Sequence, residues 1–296
     1  MIIRNLKIKK LAVITGFIML VLHVGKADCS DDVKHIFEIL RKSISPTGVL
    51  ATFDLSNAFT FKFKSTFGGM ATMTVVLPDK YERGKKYDLV VYFPGGDGDP
   101  WQPYYFYQTQ QNGSLKDYIS NMDKILVLVK LNLPLQSKID KNKRTLVNNF
   151  LDIDNGLKLV LNALENPGNI YLLGISFGGL YGSHYLAWRH RSVGVAGVLF
   201  LAPVSPIEPY VYRPLPELKI GFKEYFIPKD IRAVIVVTTN DTIVIPETQM
   251  TLVAAYKKRT NNFLLIEHEG DHHQTNIENV KAGFSFLLEN SESGLN

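Results

Sequence analysis

The residues Gly174-Ile175-Ser176-Phe177-Gly178 stand between an apolar run and a stretch of helical character. A serine at such a junction is a candidate nucleophile, because a tight strand-to-helix turn projects its hydroxyl above the end of a sheet. The turn brings together the backbones two residues before and two residues after the serine, so both positions must be small, and both are glycine. The N-terminus of the following helix adds the positive end of a dipole. The competing reading of these residues is a glycine-rich turn of the kind that holds phosphate.

A serine hydroxyl is a weak nucleophile and needs a base, which in turn needs an orienting acid. For a serine on this type of turn the expected chain order is Ser, then Asp or Glu, then His, each just after a later strand. Ala233–Thr238 runs into Thr239-Asn240-Asp241, and Phe263–Ile266 runs into Glu267-His268-Glu269-Gly270-Asp271-His272-His273. Asp241 is the expected acid and His272 the expected base, with His273 and His268 as alternatives for the base. Asp271 and Glu269 are too close to the histidines in sequence to reach them easily from across a sheet. Acyl transfer also needs N–H donors where negative charge develops on the carbonyl oxygen. One is the backbone N–H of Phe177. The other is expected from Pro94-Gly95-Gly96-Asp97-Gly98, at Gly96 or Asp97, unless that stretch is a hairpin turn.

His268-Glu269-Gly270-Asp271-His272 also spells H-E-x-x-H, which binds zinc when it lies on a helix with both histidines on one face. Here it follows an apolar strand, carries a central glycine and has no evident third ligand. No zinc site is expected from it. Two aromatic clusters flank the predicted site. Trp101, Tyr104 and Tyr105 follow the glycine loop, and Tyr210 lies in the segment after the strand Val195–Leu201. They read either as a pocket wall for an aromatic or carbohydrate-linked ester or as rings packed under the rim.

The elements that must position these groups are legible from periodicity. Asp31–Lys42 has helical spacing with acids at its start. Asn57–Thr66 alternates, and Ala71–Leu77 is a second extended run, together suggesting an antiparallel pair. Tyr87–Phe93, Ile125–Leu131, Ile170–Leu173, Val195–Leu201, Ala233–Thr238 and Phe263–Ile266 are nearly unbroken apolar runs, the mark of strands buried on both faces. Helical candidates lie among them at Leu146–Leu164, Gly179–Trp188, Thr248–Arg259 and Ile277–Leu288. This alternation predicts an α/β fold, with a mostly parallel sheet flanked by helices and antiparallel strands at its start.

The Gly174–Gly178 pentad, Asp241, His272 and the Pro94–Gly98 loop together resemble the α/β-hydrolase superfamily, over roughly residues 70 to 290. The similarity is to the esterase branch that includes feruloyl esterases, esterase D-like and dienelactone hydrolase-like enzymes. The resemblance implies a sheet of about eight strands and a Ser176–His272–Asp241 acyl-enzyme mechanism without metal or cofactor. Two departures stand out. The oxyanion loop reads Phe93-Pro94-Gly95-Gly96 where lipases commonly have His-Gly-Gly-Gly. The segment before Ala233 is short, so no large lid is expected.

The 296 residues are 46% hydrophobic and 21% charged, too apolar for a disordered chain. One cysteine excludes a disulfide scaffold. The formal charge of +5 resides at the N-terminus: residues 1–27 hold five of the 33 cations and no acid, leaving 28 cations against 28 acids. No cationic stripe remains for a nucleic acid. Residues 1–27 read as a signal peptide, with a basic start, an apolar stretch at Leu11–Val24 and small residues at Gly25 and Ala27. The stretch falls short of the about 20 residues of a membrane span, so no stable anchor is expected. Residues 28–296 are expected to be a single exported domain, periplasmic or secreted. The expected partner is a small-molecule ester. A serine peptidase, a thioesterase or acyltransferase, and a non-catalytic protein on the same fold are the alternatives.

Overall fold

The computed structural model of the chain describes residues 31–43, 49–52, 57–66, 68–96, 118–119, 121–131, 143–205, 227–272 and 277–289. Its strands are β1 (Val49–Thr52), β2 (Ala58–Lys64), β3 (Met70–Val76), β4 (Tyr87–Phe93), β5 (Ile125–Val129), β6 (Pro167–Ile175), β7 (Val195–Leu201), β8 (Arg232–Thr238) and β9 (Phe263–His268). Its helices are α1 (Asp31–Ser43), α2 (Lys143–Ala163), α3 (Phe177–Val193), α4 (Pro246–Arg259) and α5 (Ile277–Leu288). The strands form one sheet in the order β1-β2-β3-β5-β4-β6-β7-β8-β9. β1, β2, β3 and β5 pair antiparallel in succession, and every pairing from β5 through β4 to β9 is parallel.

The apolar runs explain the sheet's two-sided burial. Successive side chains on a strand point to opposite faces. Leu89, Val91 and Phe93 of β4 enter one core layer with Val198 and Phe200 of β7 and Ile235 and Val237 of β8. Val90 and Tyr92 enter the other, with Leu199, Leu201, Val234 and Val236. The first layer is closed by α1, α2, α3 and α4, through residues such as Ile36, Phe150, Tyr185 and Leu252. The second is closed by α5, through Val280, Phe284 and Leu287. Both faces need apolar residues at every position, hence the unbroken runs.

The expected architecture is present; the described residues form nine strands, where the similarity implied about eight. β1 is only four residues long, too short to register as alternation. The helix starts also differ. α3 begins directly at Phe177, so the turn at Ser176 has no linker at all. α4 begins at Pro246, whose fixed φ suits the first helical position. The lid expectation concerns the segment between β7 and Ala233, of which residues 206–226 lie outside the described residues, as do residues 1–27 of the signal-peptide expectation.

Candidate active site

Parallel strands deliver their following turns to one edge of the sheet. Ser176 follows β6, Asp241 follows β8 and His272 follows β9, so all three leave from carboxyl ends of strands in the same sheet. Ligands of open α/β sheets bind at that edge.

Ser176 has φ 54° and ψ −120°, a backbone state that residues with a Cβ rarely adopt. It is over-determined by its surroundings. Its N–H donates to Leu201 O at 2.9 Å, and its own carbonyl accepts from the N–H groups of Gly179 at 2.9 Å and Val204 at 3.0 Å. The glycines around it are forced by contact. A Cβ on Gly174 would lie 2.5 Å from Gly178 O, and one on Gly178 would lie 2.0 Å from Phe93 O. The carboxyl end of β4 is thereby pressed against the serine turn. Gly95 continues this contact, since a Cβ there would sit 3.0 Å from Ile175 O and 3.1 Å from Ser176 Cβ. Gly96 follows with φ 53°, a left-handed conformation that glycine adopts without cost. Ser176 is buried and begins α3 without making a side-chain capping bond to it.

Asp241 is held differently. Its Oδ1 accepts the N–H groups of Ile243 at 2.9 Å and Val244 at 2.8 Å. Its Oδ2 accepts the Thr238 hydroxyl at 2.8 Å and Gln249 Nε2 at 2.9 Å, and lies 2.7 Å from His272 Nδ1. Burial alone would raise the pKa of this carboxyl. The bonds from His272, the Val244 N–H, the Thr238 hydroxyl and the Ile243 N–H outweigh that and hold it below its ordinary value. The group is therefore a carboxylate at neutral pH, and its Oδ2 orients the imidazole through Nδ1. Two backbone bonds stitch the loop of Asp241 to the loop of His272: Thr239 N–H to His268 O and Asn240 N–H to Gly270 O, each 3.0 Å. Side chains of Phe177, Leu180, Val204 and Val244 form a small separate apolar cluster beside the serine turn.

The structure thus brings Asp241 to His272 and sets Ser176 in a strained strand-to-helix turn. His268 lies within β9 and His272 on a turn beyond it, so the H-E-x-x-H pattern is not helical. His184, buried on α3, is pushed down to about 4 by that burial. Asp97, Trp101, Tyr104, Tyr105, Tyr210 and His273 lie outside the described residues. Sequence reasoning missed Thr238 and Gln249. Gly95 was read as part of the glycine loop, but not as a contact of the serine turn. Gln249 carried no signal, because a glutamine inside a helix reads as a solvated position.

With this geometry in hand, the fold can be compared with solved structures. Acetyl xylan esterase 1 from Thermoanaerobacterium sp. JW/SL YS485 superposes with a TM-score of 0.57 at 16% identity, covering 93% of this chain and 98% of that one. A CE1 ferulic acid esterase from the anaerobic fungus Anaeromyces mucronatus gives 0.56 at 19% identity, covering 85% and 94%. The fluorophosphonate-binding serine hydrolase F of Staphylococcus aureus gives 0.53 at 11% identity, covering 78% and 98%. The fold is that of the α/β-hydrolases. No protein-family model matches the sequence, and no curated protein matches it either.

Proposed function

We propose that the chain is a serine hydrolase of carboxylic esters, with Ser176 as nucleophile, His272 as base and Asp241 as orienting acid. The observation that carries this reading is the buried Asp241–His272 bond of 2.7 Å at the same sheet edge as a serine held at φ 54°. The α/β-hydrolase fold, and esterases among the proteins that share it, add support.

In the proposed reaction His272 Nε2 takes the Ser176 proton as the hydroxyl oxygen attacks the ester carbonyl. Asp241 fixes the tautomer with the proton on Nδ1 and stabilises the imidazolium that forms. The Phe177 N–H, at the first position of α3, and the N–H of Gly96 or Asp97 receive the oxyanion. His272 then gives its proton to the leaving alcohol, and water repeats the sequence on the acyl-enzyme. Trp101, Tyr104, Tyr105 and Tyr210 are proposed to line the substrate side. With the aromatic clusters and the acetyl xylan and ferulic acid esterases as support, esters with a carbohydrate or aromatic part come first. Residues 1–27 are proposed to direct export. Among the described residues no helix is long and apolar enough to cross a membrane.

A fluorophosphonate probe, with mass-spectrometric mapping of the adduct, tests the reading. The expected result is a single adduct on Ser176 that is lost in His272→Ala, together with hydrolysis of acetyl and feruloyl esters. A folded protein that is neither labelled nor hydrolytic would overturn it.

A further inference from the structure

Gln249 is fully buried on α4, in the first turn after Pro246, and faces the end of β8. One amide there meets two demands of opposite sign. Its Oε1 accepts the Thr238 backbone N–H at 3.1 Å. Its Nε2 lies 2.9 Å from Asp241 Oδ2, 2.5 Å from Val244 O and 3.1 Å from Thr238 Oγ1. The partners fix the amide's orientation: an N–H on one side requires the oxygen, and a carboxylate and a carbonyl on the other require the NH₂. Thr238 Oγ1 donates to the same Asp241 Oδ2 at 2.8 Å, so Thr238, Gln249 and Asp241 close a ring of hydrogen bonds.

We infer that Gln249 is a positioning residue for the acid of the proposed triad, an inference that rests on the reading of Ser176, His272 and Asp241 given above. The two backbone N–H groups on Oδ1 hold one oxygen. Without a second fixed point the carboxylate plane can rotate about that oxygen. Gln249 and Thr238 supply the second point at Oδ2 and leave its remaining direction to His272 Nδ1. A glutamine does this without adding charge. A lysine there would compete with the imidazolium for the carboxylate, and a glutamate would turn an acceptor toward an acceptor. α4 therefore acts as an arm that carries an amide to the acid.

Gln249→Met and Gln249→Glu test the assignment. Methionine keeps the length and fills the space without an amide, so a packing role survives it. Glutamate keeps an acceptor for the Thr238 N–H and loses the neutral amide donor: buried 2.9 Å from Asp241 Oδ2, it either repels that carboxylate or takes up a proton and shares it. Folding is checked by circular dichroism. Steady-state hydrolysis of para-nitrophenyl acetate and the downfield proton resonance of His272 Nδ1–H are then compared with the parent. A hydrogen bond to a charged group contributes enough for kcat to fall about ten- to hundredfold in both variants. KM is expected to stay within about twofold, with the Nδ1–H resonance shifted or broadened. A folded Gln249→Met with parental kcat and an unchanged resonance overturns the positioning role; where methionine prevents folding, Gln249→Glu decides by the same readings. Ser176→Ala separates the two levels of the proposal. If it is inactive while Gln249→Met runs at the parental rate, only the positioning role fails. If Ser176→Ala hydrolyses at the parental rate, the triad reading fails and takes the positioning role with it.

Discussion

The two turns that carry Ser176 and Asp241 solve the same problem by opposite means. Both follow a buried parallel strand and lead into a helix. The serine turn fixes its side chain through the backbone, with φ 54°, three main-chain hydrogen bonds and glycines pressed against carbonyls. The aspartate turn fixes its side chain through the side chain itself, with five donors around two oxygens. On the proposed mechanism the difference follows from what each group has to do. A nucleophile must keep its oxygen free for carbon, so orientation has to come from main chain. An orienting acid must remain ionised while buried, and only donors on its oxygens can maintain that.

Each turn can be perturbed separately. The largest expected effect is at the acid. Asp241→Asn keeps the shape but faces an NH₂ toward donors, which reverses the tautomer of His272 or breaks the bond. In the proposed mechanism kcat is expected to fall by about ten-thousandfold, a loss measured by steady-state ester hydrolysis. If the acid turn works through its side chain, the serine turn should remain formed in this variant.

At the serine turn the corresponding damage is to stability. Gly178→Ala puts a methyl group 2.0 Å from Phe93 O, main chain that cannot move aside without disturbing β4. The expected cost is about 3 kcal/mol, the upper range of overpacking, read as a lower urea midpoint. A Gly178→Ala protein of parental stability would mean that backbone contact does not set this turn.

The smallest effect is also the most discriminating. Ser176→Gly and Ser176→Ala both remove the nucleophile. Glycine adopts φ 54° without penalty and alanine does not, so the glycine variant should be the more stable by about 1 kcal/mol. Equal unfolding midpoints would deny that strain is stored at this residue.

The same contrast explains what could be read from sequence. The serine turn was legible because backbone crowding leaves glycine at fixed offsets, here Gly174 and Gly178. The strands were legible because two-sided burial writes unbroken apolar runs, and counting strand ends pointed to Asp241 and His272, which the fold brings within 2.7 Å of each other. β1 was not, since four residues hold too little pattern. Nor was the Thr238–Gln249 pairing, because it crosses a helix–strand contact and no local spacing encodes it. The helix starts at Phe177 and Pro246 were misjudged by two residues, where an apolar stripe had not yet completed a turn.

The stitching of β9 to β8 bears on the order in which a chain made from its N-terminus becomes competent. The anchors of the serine turn, Leu201 and Val204, and the acid with its donors Thr238, Val244 and Gln249, all precede β9. His272 arrives only after β9, which lies at the border of the sheet and pairs with β8 alone among the described strands. A growing chain therefore holds the residues of the serine turn and four of the five donors to Asp241 before it has His272. On the proposed mechanism, ester cleavage begins only when β9 has docked.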